Sequence, residues 1–286
     1  MRIKKIYDAA DGSATPGAIF TASLNEKVIT REGERLDYLM IGVKGAVATA
    51  AVVIEDFADL INPLTLRYGG DNRLVLTLQE LIALSVFYYG GKIAAGENTD
   101  ATGNDFVGGL KVPVYQTVEQ GRDLTIQLDR SAVTNIATET VAISGYWDTG
   151  AGDKKAIHCV RVAHTTSGTA GIETYGSRIV PKGKLIGLII AQPNGFADGN
   201  IDVSLQRVKV LEEGEEVAGL NDLADAISLA DIDYVTPSVF ADLLRPYRAY
   251  DFRPGGFDAK AKEITLQFDV QDVSDAIVIL PVIEIE

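Results

Sequence analysis

The chain has 286 residues, of which 47% are apolar and 23% are charged, and this composition predicts a folded protein rather than a disordered one. Its formal net charge of −14 disfavours a general nucleic-acid binder, because an acidic surface repels phosphate backbones. Cys159 is the only cysteine, which excludes an intrachain disulfide and leaves stability to packing or assembly.

The start of the chain combines basic residues with turn formers. No apolar stretch follows Arg2, Lys4 and Lys5, so we do not interpret the segment as a signal peptide. No run anywhere reaches the ~18 apolar residues that span a bilayer. The segment ends in Asp11–Pro16, which is typical of a loop, and we predict an N-terminal arm over residues 1–16.

Short apolar and β-branched runs follow the arm, each bounded by turn formers. They predict strands at Ala18–Ala22, Lys27–Arg31, Leu36–Val43, Ala48–Phe57 and Leu64–Tyr68. The turn Gly69–Asn72 closes the last strand, because its Gly and Asn residues tolerate the positive φ values that tight hairpins need.

One helix is predicted to interrupt these strands. Thr77 and Glu80 fit a capping box, in which the Thr hydroxyl accepts from the amide three residues on and the Glu side chain reaches back. The apolar residues behind the cap keep a 3.6-residue period, and Gly90–Gly91 ends it. We therefore expect a short helix with one buried face. Residues 91–110 lack periodicity and predict a long loop of functional importance.

A six-residue pattern occurs twice in the rest of the chain. Leu124–Asp129 and Ile264–Asp269 both read apolar, Thr, apolar, Gln, apolar, Asp, and their first residues are 140 positions apart. A second strand-like run follows each copy, at Thr138–Trp147 and Asp275–Glu286. The repeat predicts one β-rich unit used twice. With the boundary at residues 148–155, we expect the units to span residues 17–148 and 154–286.

The second unit is predicted to repeat the order of the first. Strands are expected at Ala156–Ala163, Ser177–Val180, Leu185–Ala191 and Ile201–Leu211. One helix is expected to begin near Leu220–Leu223, and another to run from Thr236–Pro237 to about Leu244. A turn is expected at Arg253–Gly256. About eight short strands in a unit of ~140 residues favour a two-sheet sandwich, for which the jelly roll is one solution. The predicted fold class is all-β, with a few short helices and two tandem jelly-roll sandwiches.

His158, Cys159 and His164 form the only cluster that suggests a metal or nucleophile site. On one strand the two His side chains would share a face but lie roughly 20 Å apart, which is too far for a single ion. Cys159 would point to the other face. We interpret the segment as an ordinary strand.

Other chemical patterns are incomplete. Asp198–Asp202 places oxygen ligands at alternate positions but lacks the distal acid of a calcium loop, and Glu212–Glu216 is interpreted as a solvated acidic turn. The glycine pairs lack the Lys-Ser/Thr of a phosphate loop. Trp147 and Tyr88–Tyr89 are interpreted as core residues or contact residues. We therefore predict no enzyme, and no catalytic, cofactor-binding or metal-binding residues.

The layout of two β-units, each with a helix after its middle strands, resembles the double jelly-roll major capsid proteins of icosahedral viruses with an internal membrane. The corticovirus and tectivirus type is the most similar. Arg67–Leu81 is similar to the strand, turn and Leu-rich helix of the first jelly roll in that family, and Leu124–Asp129 is similar to a later strand. The resemblance implies no catalytic residue, cofactor or metal ion.

The resemblance also implies a role and partners. The chain would be a virion coat protein that forms pseudo-hexameric trimers, tiles an icosahedral shell and contacts other trimers. Penton or minor capsid proteins, and a lipid membrane reached by the arm at Arg2–Lys5, are further expected partners, whereas direct nucleic-acid contact is not expected. The alternatives are a tandem β-sandwich that binds carbohydrate or mediates adhesion, and a sandwich-fold glycoside hydrolase whose carboxylate pair no spacing singles out.

Overall fold

The computed structural model describes residues 2–10, 24–47, 60–90, 94–96, 105–130, 136–150, 153–167, 169–175, 183–191, 205–221, 227–228, 244, 247–258, 264–270 and 276–285. Within this part of the chain, residues up to Ile157 form one compact unit and residues from His158 onward form a second. None of the described helices is long and apolar enough to cross a membrane.

Among the described residues, the first unit contains nine strands in two antiparallel sheets. They are β1 (Arg2–Ala10), β2 (Leu24–Val28), β3 (Arg35–Val47), β4 (Leu64–Tyr68), β5 (Asp71–Leu76), β6 (Ala94–Gly96), β7 (Asp105–Thr117), β8 (Leu124–Leu128) and β9 (Ile136–Asp148). One sheet has the order β1-β9-β3-β7-β6, and the other has the order β5-β4-β8-β2.

The second unit is built in the same way. Its described strands are β10 (Ala156–Val160), β11 (Val162–Thr165), β12 (Gly171–Tyr175), β13 (Lys184–Ala191), β14 (Leu205–Glu212), β15 (Glu215–Asn221), β16 (Ile227–Ser228), β17 (Tyr247–Asp251), β18 (Phe257–Asp258), β19 (Ile264–Val270) and β20 (Ala276–Ile285). Strand β10 spans the division between the two units. One sheet has the order β16-β17-β13-β20-β11, with β18 also on β13, and the other is β12-β19-β14-β15.

Both units follow one winding order. When the strands of two or three residues, β6, β16 and β18, and the strand β10 at the division between the units are set aside, eight principal strands remain among the described residues of each unit. In both units the first sheet reads first, eighth, third, sixth, and the other reads second, seventh, fourth, fifth. This is the winding of a jelly roll, in which successive strands alternate between two facing sheets except for the hairpin of the fourth and fifth strands. The chain therefore contains two tandem jelly rolls.

The repeated sequence pattern has a structural explanation. β8 carries the first copy and β19 carries the second, and each is the seventh principal strand of its unit. Leu124, Ile126 and Leu128 are buried while the Thr and Gln between them are half-buried, and β19 shows the same alternation. An apolar-polar alternation buries one face of a strand, so two strands in equivalent positions share one pattern.

The core of the second unit lies between its two sheets. Apolar side chains of both sheets meet there in one buried cluster, which includes Leu188, Ile190, Val208, Val210, Leu266, Phe268, Ile277 and Ile279. Burial of such side chains contributes roughly 1.5–3 kcal/mol each and is the main force that holds a sandwich together.

The predicted helix is present as α1 (Leu78–Tyr89), between β5 and β7. Thr77 and Glu80 make both hydrogen bonds of the capping box, and Gly90 ends the helix in the left-handed conformation at φ 70°. The prediction that only one face of this helix is buried is wrong, because Leu78 and all residues from Glu80 to Phe87 are buried. A helix that is apolar on all sides is a core element rather than a surface element.

Three other expectations need correction. Arg2–Ala10, expected as part of an arm, is strand β1, which pairs along β9. Part of the expected loop 91–110 is strand, in β6 and the start of β7. The prediction of a helix near Leu220 is wrong, because Leu220 of β15 pairs with Val208 of β14 and Ile227 lies in β16.

Other expected elements lie outside the described residues. These are the strands at Ala18–Ala22, Ala48–Phe57 and Ser177–Val180, together with residues 11–16 of the arm and residues 236–243 of the last helix. Leu244, at the expected end of that helix, is helical and buried. The boundaries proposed for the two domains remain predictions.

Candidate assembly surfaces

The His-Cys segment does not form one strand. His158 and Cys159 lie on β10, whereas His164 lies on β11 beyond Arg161, and Cys159 is buried. His164 instead contacts Glu173 of β12, with its Nε2 atom 3.1 Å from the Glu173 Oε2 atom. No group of three or more His, Cys, Asp or Glu side chains suited to a metal ion occurs among the described residues.

Glu212–Glu216 forms the predicted acidic turn, a tight hairpin between β14 and β15. Glu213 and Gly214 occupy its tip with φ values of 51° and 86°, which two-residue hairpins require. Glu216 accepts from Arg207 at 2.7 Å and pairs with Lys209 at 3.1 Å. The calcium-like segment Asp198–Asp202 lies outside the described residues.

The aromatic residues singled out by sequence have different environments. Trp147 is fully buried in β9, as expected for a core residue. Tyr88 and Tyr89 lie at the end of α1, where Tyr88 contacts Tyr115 of β7 at a centroid distance of 5.7 Å. The hydroxyl oxygens of Tyr89 and Tyr115 are 3.2 Å apart.

A cluster of tyrosines around Lys111 joins this helix end to the first sheet. The rings of Tyr38 and Tyr146 stack at 4.4 Å, and the Lys111 Nζ atom lies 4.2 Å from the Tyr38 ring and 4.4 Å from the Tyr89 ring. Burial raises the pKa of Tyr89 far above its ordinary value, and hydrogen bonding to Tyr115 acts in the same direction. Contacts among the rings and with Lys111 therefore hold the end of α1 against the first sheet.

Exposed aliphatic side chains lie on the edges of the sheets. Among the described residues, four large apolar side chains are exposed, and they are Ile3 (62%), Val28 (57%), Ile172 (62%) and Val217 (40%). Their strands β1, β2, β12 and β15 each end the strand order of a sheet. Because an edge strand also presents unpaired backbone groups, apolar residues at an edge indicate a contact surface.

The basic residues at the start of the chain are largely paired with acids. Arg2 donates to Glu34 at 3.0 Å, and Lys5 forms an ion pair with Asp8. The basic side chain of each pair is exposed, so the pairs contribute at most about 1 kcal/mol each. Lys4 is half-buried on the same strand. The basic cluster is thus part of an ordered sheet edge.

The sequence analysis missed one further cluster, which lies beside the turn between β4 and β5 of the first jelly roll. Arg73 on β5 and Arg122 before β8 both lie over the ring of Tyr68, with guanidinium carbons 5.5 Å and 5.7 Å from its centroid. The Tyr68 hydroxyl accepts from the backbone amide of Glu119 at 2.9 Å. Tyr68 and Arg73 flank one predicted hairpin turn, but Arg122 comes from a distant segment, and no spacing in the sequence marks its approach to Tyr68.

No protein-family model matches the sequence, and no curated protein matches it. Solved structures do match. The STIV major capsid protein superposes with a TM-score of 0.67 at 10% identity, covering 99% of this chain and 96% of that chain. A chain of the atomic structure of Sulfolobus Turreted Icosahedral Virus superposes with a TM-score of 0.65 at 12% identity, covering 98% of this chain and 89% of that chain. The major capsid protein from Bacteriophage PM2 superposes with a TM-score of 0.55 at 12% identity, covering 98% of each chain.

These likenesses agree with the strand orders described above. The chain has the double jelly-roll fold, and almost its whole length takes part in the match. The predicted fold class of two tandem jelly-roll sandwiches with few helices is confirmed, as is the predicted structural resemblance to double jelly-roll capsid proteins.

Proposed function

We propose that this chain is a major capsid protein, located in the virion capsid. The observation that carries the proposal is the identical jelly-roll winding of two successive units in one chain. Structures with the same fold along nearly their whole length are coat proteins of viruses, which supports the same role here. The role is structural and requires no catalytic residue, cofactor or metal ion.

The chain assembles in this proposal as a trimer with pseudo-hexagonal symmetry. Three chains with two similar jelly rolls each place six similar units around one axis, and closed rotational symmetry limits the assembly to that size. The exposed side chains Ile3, Val28, Ile172 and Val217 support lateral contacts, because side-by-side sandwiches cover the sheet edges that carry them. Contacts between trimers then tile the icosahedral shell.

Other partners are part of the same proposal. Strand β1 presents Lys4 and Lys5 to an internal lipid membrane, or to a penton or minor capsid protein. Because β1 is a sheet strand, charge reversal tests this contact better than deletion does. We expect a Lys4→Glu/Lys5→Glu variant to assemble but to lose binding to vesicles with anionic lipids in flotation. Equal flotation of variant and wild type would contradict the membrane contact.

The oligomeric state tests the central proposal. Light scattering on purified protein at neutral pH is expected to show a species of roughly 92 kDa, three times the 30.6 kDa chain. An Ile172→Lys variant is expected to weaken association, while an Ile172→Val variant retains it. A protein that stays monomeric at all concentrations and in crowded assembly buffers, yet binds on a glycan array, would instead support the carbohydrate-binding alternative.

A further inference from the structure

A β-bulge determines where the side chain of Arg73 lies. The register of β4 and β5 shifts between Leu66 and Arg67, and Arg73 is the extra residue, with no partner opposite it on β4. A bulge of this kind re-aims the side chain that it carries. The guanidinium carbon of Arg73 lies 5.5 Å from the ring centroid of Tyr68, which is buried.

The orientation of this guanidinium is fixed by Gln116 of β7, a strand of the facing sheet. The Arg73 Nε atom donates to the Gln116 side-chain oxygen at 3.0 Å. The Gln116 side-chain nitrogen donates to the backbone oxygen of Thr117 at 2.7 Å, which holds the Gln116 oxygen towards Arg73. The Nη1 and Nη2 atoms of Arg73 make no hydrogen bond to any described residue, so this edge of the guanidinium has free donors.

Arg122 brings a second guanidinium to the same ring, with its carbon 5.7 Å from the Tyr68 centroid. Tyr68 is itself held in place, because its hydroxyl accepts from the Glu119 amide at 2.9 Å. The Glu119 side chain lies 3.5 Å from the Arg122 Nε atom, but both side chains are more than half exposed, so this ion pair is weak. We call Arg73 and Arg122 the arginine pair.

The charge of Arg73 is only weakly compensated. No described carboxylate lies within ion-pair distance of it. Burial lowers the pKa of Arg73, the carboxylate of Asp71 opposes this effect, and the charge of Arg122 lowers the pKa further. Desolvation and a nearby like charge both disfavour the cation, and an anion that accepts hydrogen bonds from the free Nη atoms offsets part of that effect.

We propose that the arginine pair binds a phosphate group, carried either by a free phosphate ion or by a phosphate monoester. The two Nη atoms of a guanidinium match two oxygens of an oxyanion. Two guanidiniums match a doubly charged phosphate better than a singly charged carboxylate, and tetrahedral oxygens can accept from both side chains. The inference goes beyond the coat-protein role and does not depend on it.

Phosphorus NMR titrations test the site. The full chain is added to inorganic phosphate or to glycerol phosphate at constant ionic strength, because salt screens such contacts, and the broadening of the phosphorus signal gives the dissociation constant. We expect Arg73→Gln and Arg122→Gln each to weaken binding by about tenfold or more. Acetate is expected to compete at least about tenfold less effectively than phosphate.

Arg67→Gln is the matched control. It removes the same charge from the same hairpin, but Arg67 pairs with Glu26 at 3.2 Å and lies outside the arginine pair. We therefore expect this variant to bind phosphate like the wild type. Because Arg122 is exposed, Arg122→Gln keeps the test valid if Arg73→Gln unfolds in thermal melts.

Each result decides the inference. Binding of one or both phosphate forms that is lost in Arg122→Gln and kept in Arg67→Gln supports the site and identifies the source of the phosphate group. No binding of either form, wild-type affinity in Arg122→Gln, an equal loss in Arg67→Gln, or equal competition by acetate would overturn it. The coat-protein proposal stands or falls separately, on the oligomeric state.

Discussion

The Nε2 atom of His164 lies 3.1 Å from the Oε2 atom of Glu173, and this contact joins β11 to β12, which belong to opposite sheets of the second jelly roll. Glu173 also accepts from the backbone amide of Ser167 at 2.6 Å. Both side chains of the pair are about one-fifth exposed. The contact therefore ties the two sheets together where the chain crosses between them.

We expect this contact to make stability depend on acid pH. Burial opposes ionisation of Glu173, but hydrogen bonds from Ser167 and His164 outweigh it, so the pKa of Glu173 lies below its ordinary value of 4.5. A carboxyl whose folded pKa is lowered stabilises the fold above its unfolded pKa and loses that contribution as pH falls through the folded value.

A Glu173→Gln variant measures the contribution. We expect it to unfold at lower denaturant concentration than the wild type at pH 7, by roughly 1–2 kcal/mol, because hydrogen bonds to a charged acceptor are lost. The difference is expected to shrink as pH is lowered below the ordinary pKa. A difference that is unchanged from pH 7 to pH 3 would contradict the assignment.

The N-terminal cap of α1 is predicted to contribute to the stability of the protein. Thr77→Ala removes the hydroxyl that accepts from the Glu80 amide, and we expect the free energy of unfolding to fall by about 1 kcal/mol. Thr77→Ser keeps the hydroxyl and is the matched control, with stability close to that of the wild type. Equal stability of all three proteins in denaturant titrations would show that the cap is not formed.

A side chain at Gly145 is predicted to destabilise the first jelly roll. A Cβ atom there would lie 2.8 Å from the Trp147 Nε1 atom and 3.1 Å from the Ile6 Cδ1 atom. Gly145→Ala is expected to cost about 1–3 kcal/mol through overpacking. Gly42→Ala on the adjacent strand is the control, because its nearest atom would be 4.0 Å away. Similar thermal unfolding midpoints for the two variants would refute the crowding.

Lys111 is expected to hold α1 to the first sheet. Its ammonium group contacts the Tyr38 and Tyr89 rings, so Lys111→Met is predicted to lower stability by about 0.5–2 kcal/mol while Lys111→Arg retains most of it. Hydrogen exchange of the α1 amides provides the local readout. Unchanged protection of that helix in the Met variant would mean that Lys111 plays no such part.

Local patterns were sufficient for several elements. The alternation in Leu124–Leu128 and Ile264–Val270, and the capping box at Thr77, depend on neighbours within a few residues, so sequence predicted them correctly. The repeat also predicted two similar units. It did so because strands in equivalent positions of a sandwich must bury one face in the same way.

Sequence failed where a distant partner decides the outcome. β1 was predicted as part of an arm because the segment is basic and leads into turn formers, yet β9, at least 130 residues away, supplies its hydrogen bonds. Leu220 and Ile227 have helical spacing, but Leu220 lies opposite Val208 in a hairpin and Ile227 lies opposite Ala249. Strand pairing overrides weak local preference in such segments.

By itself, therefore, the sequence determined the β-rich class of this protein, its twofold repetition and the capped helix α1, because each of these is encoded in short-range patterns. Only the tertiary structure decided which strands pair, and hence which side chains meet. Arg73 and Arg122 converge on Tyr68, and His164 reaches Glu173, because winding and register bring separate segments together. No spacing along the chain carries that information.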